Sequence, residues 1–237
     1  MDSILSTAAP KPAAPLVLDH LVVAARTLDE GEAWLKARLR RDLVAGGSHP
    51  GFGTHNRLLR LGTDCDLELI AADPAQKTPR LLFGLEQPVV ARALAEQPML
   101  LHVVFRVVPP ATLADVLPQL EYDPGAPTAM SRGDLRWQIT IPRGQLGGDG
   151  LLPTIIDWGD APHPCTRLPD SGVSLAGLHL EGTAATLRAF PRPAEPARIQ
   201  PALTTGPQPK IRAEFVVDEA TIIIESCPPL RNLASFA

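Results

Sequence analysis

Short apolar runs, each interrupted by a few polar residues, recur along the chain and predict β-strands that alternate with helices. The first run, LVLDHLVVAA at 16–25, reads as a buried strand that carries one aspartate and one histidine. Thr27 and the acidic residues after it mark the start of a helix, and the glycines of AGGSHPGFG at 45–53 indicate a loop. In order, the first unit comprises a strand at 17–25, a helix at 27–39, strands at 54–62 and 66–72, and space for a short strand near 42–45.

This β-α-β-β order recurs twice more, which is an internal repeat of roughly 55–60 residues. The second copy begins with the strand LLHVVFRVV, and the weaker third copy begins with VSLAGLHLEG. The predicted elements of the second copy are a strand at 100–108, a helix at 109–120 and strands at 134–142 and 150–158, and those of the third are a strand at 173–182, a helix at 183–190 and a hairpin at 211–226.

A β-α-β-β-β sheet buries one face under its helix and leaves the other face bare, so two such sheets side by side form a shared cup. The predicted fold class is therefore α+β, with paired βαβββ modules forming a cup-shaped mixed sheet and a third, shortened module attached. The predicted divisions are a disordered segment at 1–15, module 1 at 16–73, a connecting segment at 74–99, module 2 at 100–160, the shortened module 3 at 173–228 and a tail at 229–237.

Composition and charge narrow the classes of function. Hydrophobic residues make up 45% of the 237 residues and charged residues 20%, which is the balance of an ordinary globular protein. The net charge is −4 and no basic cluster occurs, so nucleic-acid binding is not expected. The absence of a long apolar run and of a signal peptide predicts a cytoplasmic protein without a membrane partner. Three widely spaced cysteines without a CxxC pair argue against a disulfide framework and a structural zinc site.

Strand parity sorts the polar residues of the cup, because alternate side chains of a strand point to opposite faces. Parity directs His20 and Glu68 of module 1 and His102 of module 2 away from the helix-packing faces and into the shared pocket. By the same rule Asp19 points to the opposite face from His20, where it caps a turn or meets a basic neighbour. Two imidazoles and one carboxylate are the ligands of a facial triad, and they also suit a catalytic zinc site.

Four further residues are candidates for substrate binding. Parity directs Arg106, Arg136 and Gln138 into the same pocket, where a guanidinium can hold a carboxylate through two donors. His55 starts a strand after the glycine-rich loop and borders the mouth of the pocket. The alternatives are that Arg136 and Gln138 pair with an acid across the strands and that His55 stabilises the turn.

Five segments together resemble the vicinal oxygen chelate superfamily, and specifically its glyoxalase-like domain family. The resemblance covers most of residues 16–182 and implies paired βαβββ modules that hold a divalent metal ion. In that superfamily the metal ligands come from the start of a module's first strand and from its last strand. The segments are LDHLVVAARTLDEG at 18–31, GGSHPGFGTHNRLLRLG at 46–62, LELIAADP at 67–74, LRWQITIP at 135–142 and LLPTIIDWGDAPHP at 151–164.

Carried over onto this sequence, the resemblance implies a set of three metal ligands. His20 matches the first-strand ligand of module 1, Glu68 the last-strand carboxylate and His102 the first-strand ligand of module 2. The fourth position falls around Pro153 and Thr154 and offers no good ligand. This set departs from the four-ligand pattern of glyoxalase I. It resembles the three-ligand pattern of extradiol dioxygenases and fosfomycin-resistance thiol transferases. Nitrogen and oxygen ligands accept iron, manganese, zinc or nickel, so the metal is left open.

These observations predict a metal-dependent lyase, isomerase or dioxygenase that acts on a small oxygenated substrate. The alternative is a metal-free protein that sequesters small molecules on the same fold. In that alternative an arginine neutralises Glu68, and Trp34, Phe105 and Trp137 line the pocket. A homodimer is a further alternative, with the exposed face of module 3 as the candidate contact surface.

Overall fold

The computed structural model describes residues 13–142, 144–195 and 197–226. The expected disordered segment, apart from residues 13–15, the expected tail and Cys227 lie outside these ranges. The strands are β1 (Leu16–Ala24), β2 (Val44–His49), β3 (Thr54–Arg60), β4 (Asp66–Ala72), β5 (Met99–Val107), β6 (Ala126–Arg132), β7 (Leu135–Ile141), β8 (Thr154–Asp157), β9 (Val173–Gly182), β10 (Ala202–Thr205), β11 (Lys210–Val217) and β12 (Ala220–Glu225). The α-helices are α1 (Leu28–Leu39), α2 (Pro88–Glu96), α3 (Leu113–Val116) and α4 (Ala184–Ala189), and short 3₁₀ turns lie at Leu82–Gly84, Leu117–Gln119, Gly147–Gly150 and Pro164–Arg167.

Strands β1 to β8 form one sheet in the order β2-β3-β4-β1-β5-β8-β7-β6. The two halves of the sheet have equivalent strand orders outward from its centre, where β1 and β5 pair antiparallel. In each half the first strand is parallel to the last strand of its module, β1 to β4 and β5 to β8. Two βαβββ modules thus join edge to edge through their first strands. The predicted α+β fold of paired modules that share one curled mixed sheet is confirmed.

The two faces of this sheet carry separate apolar cores. The rear core lies between the sheet, α1 and the second sheet, and it contains Leu21, Leu35 and Phe105. The front core lies on the concave face and contains Val22 and Val104, whose neighbours along the strands belong to the rear core. The connecting segment that includes α2 packs into this concave face, so the cup is largely filled by the protein's own chain.

Strands β9 to β12 form a second sheet in the order β10-β9-β11-β12. Its apolar face, which includes Leu178 and Phe215, packs into the rear core against β1 and β5. The strand order differs from that of the two modules, since β9 pairs with β10 in parallel and with β11 antiparallel. The rear core contains residues of both sheets and so joins them. The division of the chain into three modules stays a prediction.

Several predicted elements have different bounds or were missed. The predicted helix at 109–120 is one α-helical turn, which a capping box of Thr112 and Asp115 begins. Pro118 lacks an amide hydrogen, and the chain continues there as a 3₁₀ turn. Strand β2 includes part of the predicted loop at 45–53, and α2 and β6 were not predicted.

The helices give no indication of a membrane span. In the ranges that the structure describes, no helix has both the length and the apolar character required to cross a bilayer.

Candidate functional site

A cavity of about 60 Å³ remains in the concave face between the two modules. Its polar side chains come mainly from β1, β3 and β4 of module 1, and its apolar side chains come mainly from module 2 and the connecting segment. The residues that line it are Asp19, His20, His49, Asn56, Leu58, Asp66, Glu68, Leu82, Phe83, Met130, Arg132, Trp137, Ile139, Ile156, Trp158 and Pro164.

A β-bulge in β1 brings Asp19 and His20 to the same face. The pairing with β5 shifts register between Leu18 and His20, so Asp19 is an extra residue on its strand. Leu18 and Leu21 both lie in the rear core, which shows that the alternation of side chains is interrupted between them. The expectation that Asp19 points away from His20 is therefore wrong, because parity applies only to an unbroken strand.

The carboxylate of Asp19 is fully buried and accepts three side-chain hydrogen bonds. His20 Nδ1 lies 2.6 Å from one oxygen, and Trp158 Nε1 and His163 Nε2 each lie 2.9 Å from the other. In the neutral ring of His163, Nδ1 accepts a hydrogen bond from the backbone N–H of Cys165, so the single proton of that form is on Nε2. Burial alone would raise the pKa of Asp19, but the two histidines outweigh it and hold that pKa well below its usual range.

His20 and Glu68 face each other at the floor of the cavity. His20 Nε2 lies 3.5 Å from Glu68 Oε2, which is longer than a good N–H···O hydrogen bond. Burial opposes both charges, yet Asp19 and Glu68 raise the pKa of His20 well above its usual value. His20 and Asn56 in turn lower the pKa of Glu68 to about 2, so Glu68 is a carboxylate.

His49, at the end of β2, is a second histidine beside Glu68. The backbone N–H of Gly47 donates to Asn56 Oδ1, which fixes the orientation of the Asn56 amide. Its Nδ2 therefore points at Glu68 Oε1 (2.6 Å) and at His49 Nε2 (3.4 Å). Nδ1 of His49 lies 2.9 Å from the Thr54 hydroxyl, and its Nε2 lies 3.7 Å from Glu68 Oε1. Burial lowers the pKa of His49 and keeps it neutral.

Asp66 pairs with His20 in the register of β4 with β1, and it faces the same cavity. In the described part of the chain, no side chain donates a hydrogen bond to it. Burial raises the pKa of Asp66 to about 7. Asp19, Asp66 and His163 also lie close enough together to surround a cation. In this group His163 donates its Nε2 proton to Asp19, whereas Asp66 forms no hydrogen bond with either residue.

The structure does not direct His102 at His20 and Glu68. Its Nδ1 lies 2.8 Å from the carbonyl oxygen of Gly150, and its Nε2 lies 3.0 Å from the Thr154 hydroxyl. Burial lowers the pKa of His102 to about 4, so the ring is neutral. The ring of Phe83, from the connecting segment, packs on it with centroids 5.5 Å apart.

The expected substrate-binding residues also lie outside the cavity. Arg106 donates to the carbonyl oxygens of Leu18 and Asp64 and borders a separate hollow next to the second sheet. His55 has the parity of Arg57, which pairs with α1 on the rear face. The exposed Arg136 and Gln138 lie on the other face of β7 from Trp137 and Ile139. Because α3 is a single turn that does not cover β7, the apolar residues of this strand face the cavity.

The sequence interpretation missed Asp19, His49, Asp66, Arg132 and Trp158 as residues of the site. Asp19 was missed because the bulge is not visible in the sequence pattern. His49 was missed because the surrounding glycines predicted a loop, whereas His49 ends β2. One available signal was that the segments on both sides of the turn at 50–53 can pair as a hairpin, which places His49 opposite Thr54. Asp66 has the parity of Glu68 and could have been found with it.

His20 and Glu68 are spaced as two ligands of one metal ion would be. Two ligands at about 2.0–2.2 Å from a tetrahedral ion lie about 3.3–3.6 Å apart, and the separation of His20 Nε2 from Glu68 Oε2 is 3.5 Å. Asp19 fixes the Nδ1–H of His20, which is the outer support that a metal-binding histidine commonly has. His49 Nε2, 3.7 Å from Glu68 Oε1, adds a second imidazole from module 1. The ligand atoms of His20, Glu68 and His49 do not all lie within 4.8 Å of one another, so a side chain must shift before the three can share one ion.

The fold and this site define a protein of paired βαβββ modules with a polar cavity on the concave face of their common sheet. The sequence profile of the glyoxalase-like domain family matches residues 18–190. The chain therefore belongs to this family, within the vicinal oxygen chelate superfamily. No curated protein is significantly similar to the chain in sequence.

Solved structures are similar to this chain at low sequence identity. A hypothetical protein from Staphylococcus aureus is 15% identical, with a TM-score of 0.56, and the match covers 82% of this chain and 88% of that one. The methylmalonyl-CoA epimerase from Mycobacterium tuberculosis is 19% identical, with a TM-score of 0.41, and the match covers 66% of this chain and 95% of that one. The Streptomyces coelicolor methylmalonyl-CoA epimerase is 18% identical, with a TM-score of 0.40 and coverages of 60% and 96%.

Proposed function

We propose that the protein is a metal-dependent enzyme of the lyase, isomerase or dioxygenase type, and that it acts on a small oxygenated molecule in this cavity. The observation that carries the proposal is the buried pair of His20 Nε2 and Glu68 Oε2, 3.5 Å apart, with the far side of the imidazole held by Asp19. His49 would supply the third ligand in place of His102, whose ring nitrogens are engaged by Gly150 and Thr154.

A divalent ion held there acts as a Lewis acid on substrate oxygen atoms. The chain's own residues supply the rest of the chemistry. Asp66 faces the cavity with an unbonded carboxyl group, so it is placed to exchange a proton with a bound molecule. The rings of Trp137 and Trp158, 5.2 Å apart, exclude water from the apolar side of the cavity. Asn56 holds Glu68 in place through its amide.

The test is the metal content of protein purified without a histidine tag or a chelator. We expect about one divalent ion per chain in the wild type, and its loss in His20→Ala and Glu68→Gln. His49→Ala should lower the affinity, whereas His102→Gln should retain the ion. His179→Ala, at a half-buried position of β9, is the matched control. Circular dichroism establishes that each variant is folded.

Two outcomes would reject the proposal. One is a wild type that holds no ion after incubation with Fe²⁺, Mn²⁺, Zn²⁺ or Ni²⁺. The other is a folded His20→Ala variant with full occupancy. A ligand set that includes His102 would be favoured instead if His102→Gln lost the ion and His49→Ala retained it.

A metal-free binding protein is the second candidate, and one observation favours it. His20 lies between Asp19 and Glu68, so a protonated imidazole at this position satisfies both carboxylates without an ion. In that case the wild type contains no metal, and the cavity binds its ligand without converting it.

A further inference from the structure

Arg132 reaches across the cavity from one module to the other. It ends β6 in module 2, and its guanidinium Nη1 lies 3.5 Å from Asn56 Oδ1 in module 1. Gly47 leaves room for this side chain, because a Cβ atom there would lie only 2.6 Å from Arg132 Cδ. The guanidinium is therefore held at the rim of the cavity, next to the residues that surround Glu68.

This guanidinium has no carboxylate partner in the part of the chain that the structure describes. In contrast, Arg57 on the rear face pairs with Asp29 and Glu32 of α1. Arg132 is also the one arginine or lysine side chain among the described residues of the cavity. A partly buried cation without a counter-ion favours binding of an anion, since the anion restores the missing charge.

The carboxylates at the floor of the cavity do not neutralise Arg132, because they have partners of their own. Asp19 accepts hydrogen bonds from two histidines and a tryptophan, and Glu68 accepts one from Asn56 and faces His20. Asp66, the remaining carboxyl group, lies opposite His20 on β4 and forms no ion pair with Arg132. The guanidinium thus presents an unmatched charge to a molecule that enters.

The size and walls of the cavity limit what that molecule is. About 60 Å³ of free space holds roughly four to six groups the size of a water molecule. Opposite the polar floor lie Phe83, Met130, Trp137 and Trp158, which favour an apolar body. A short acid with an alkyl chain has both features that this arrangement selects, a single negative charge and a small apolar body.

We propose that Arg132 makes the cavity a binding site for a short carboxylic acid, whose carboxylate pairs with the guanidinium and whose alkyl body packs on Trp137 and Trp158. This inference deepens the proposed function, because it rests on the same cavity as the active site and names the class of its substrate. Binding of the carboxylate itself requires Arg132 and the apolar wall, with or without a metal ion.

Butyrate and its neutral analogue butyramide provide a direct test, since they have nearly the same size and shape. The readout is the fluorescence of the Trp34→Phe protein, because its two remaining tryptophans, Trp137 and Trp158, both line the cavity. We expect butyrate to bind at least about tenfold more tightly than butyramide. Arg132→Met should weaken butyrate binding about ten- to a hundredfold. Arg132→Lys should retain part of the affinity.

Arg136→Met is the matched control, because Arg136 lies in the same β6–β7 hairpin but on the other face, and it donates to the carbonyl oxygens of Gly133 and Leu135. It should bind butyrate as the wild type does. Equal binding of butyrate and butyramide, or unchanged butyrate binding in a folded Arg132→Met protein, would overturn the inference. If Arg132→Met does not fold, the inference is tested by the affinities of butyrate and butyramide for the wild type and for Arg132→Lys. Equal affinity of the two ligands for the wild type would then overturn it.

The titrations are run on both metal-free and metal-loaded protein, so that the two proposals fail separately. Arg132-dependent butyrate binding in a protein that takes up no metal rejects the metal-dependent enzyme and leaves the carboxylate site. A protein that holds one ion per chain but shows no preference for butyrate rejects the carboxylate site and leaves the metal centre.

Discussion

At the scale of single residues, Asp19 organises the site. Its carboxylate orients His20 toward Glu68. It also accepts hydrogen bonds from Trp158 and His163, which belong to the segment that follows β8. One buried acid therefore links the floor of the cavity, its aromatic wall and the chain that leaves module 2. An unpaired carboxylate at this depth would cost several kcal/mol, so these partners are needed for the site to form.

The hydrogen bond between His163 and Asp19 makes the stability depend on pH. Burial opposes protonation of His163, but Asp19 outweighs it and raises its pKa to about 9. Because the pKa is higher in the folded than in the unfolded state, the stabilisation is fully present below about pH 6.5 and is lost as the pH rises toward 9. His163→Gln should therefore be less stable than the wild type by on the order of 2 kcal/mol at pH 6, and the difference should shrink between pH 6.5 and 9.

Urea unfolding of metal-free protein at a series of pH values measures this difference. His179→Gln, which changes a half-buried histidine of β9 that lies next to Glu214, should differ little from the wild type at every pH. A deficit for His163→Gln that stays constant or grows between pH 6.5 and 9 would contradict the assignment.

At the scale of elements, two equivalent bulges lie next to the histidines of the two first strands. The first lies at Asp19 in β1, and the second lies at Leu101 in β5, where the register shifts between Val22 and the next residue. Each bulge residue directly precedes a histidine, His20 in module 1 and His102 in module 2. In module 1 the bulge supplies a carboxylate that orients the ring, whereas in module 2 it supplies an apolar side chain that joins the front core.

The glycine pair in β2 lets the hairpin β2–β3 close over the cavity. A Cβ atom at Gly46 would overlap Asn56 Oδ1 and lie 2.9 Å from the backbone oxygen of Asn56. Gly46→Ala should therefore displace Asn56 from Glu68, lower the stability by about 1–3 kcal/mol and weaken metal binding. Thermal unfolding and metal titration measure these effects.

Gly177→Ala provides the same substitution in another strand. A Cβ atom there would lie 3.2 Å or more from the ends of the flexible side chains of His179 and Glu214, so we expect little change. If Gly46→Ala were as stable as Gly177→Ala and bound metal normally, the proposed role of the glycine pair would be wrong.

At the scale of the whole molecule, the second sheet supports the cup from behind. The fully buried Phe215 of β11 lies in the rear core together with residues of β1 and β5. Phe215→Ala should lower the free energy of unfolding by about 3–5 kcal/mol. All three tryptophans lie outside the second sheet, at positions 34, 137 and 158. Their fluorescence should nevertheless report the loss of stability caused by Phe215→Ala, because the two sheets share one core.

Urea unfolding followed by tryptophan fluorescence and by far-UV circular dichroism tests this coupling. The two midpoints should coincide and should shift together in Phe215→Ala. Ile223→Ala, at an exposed position of β12, should change the stability by less than about 0.5 kcal/mol. A fluorescence midpoint that Phe215→Ala leaves unchanged would show that the sheets unfold independently.

The expected homodimer stays a prediction.

Much of the fold could be predicted because it depends on patterns that are local in the chain. Alternating apolar residues identified β1, β3, β4, β5 and β7, and their recurrence predicted the paired modules. The pattern at α2 was overlooked, and the second sheet was expected as a shortened module because its strands come in a similar order along the chain. Sequence order does not specify which strands become neighbours, and β9 pairs with β10 rather than continuing the module pattern.

The sequence by itself determined the repeat and placed His20 and Glu68 on the same side of their strands, because the period of a strand is local. Only the tertiary structure decided which face of β7 lines the cavity, that His49 rather than His102 lies beside Glu68, and that Arg132 reaches the rim of the cavity. A bulge reverses parity, and the covering of a face depends on distant segments such as α2 and the second sheet. Those long-range contacts are not encoded in the spacing of residues along one strand.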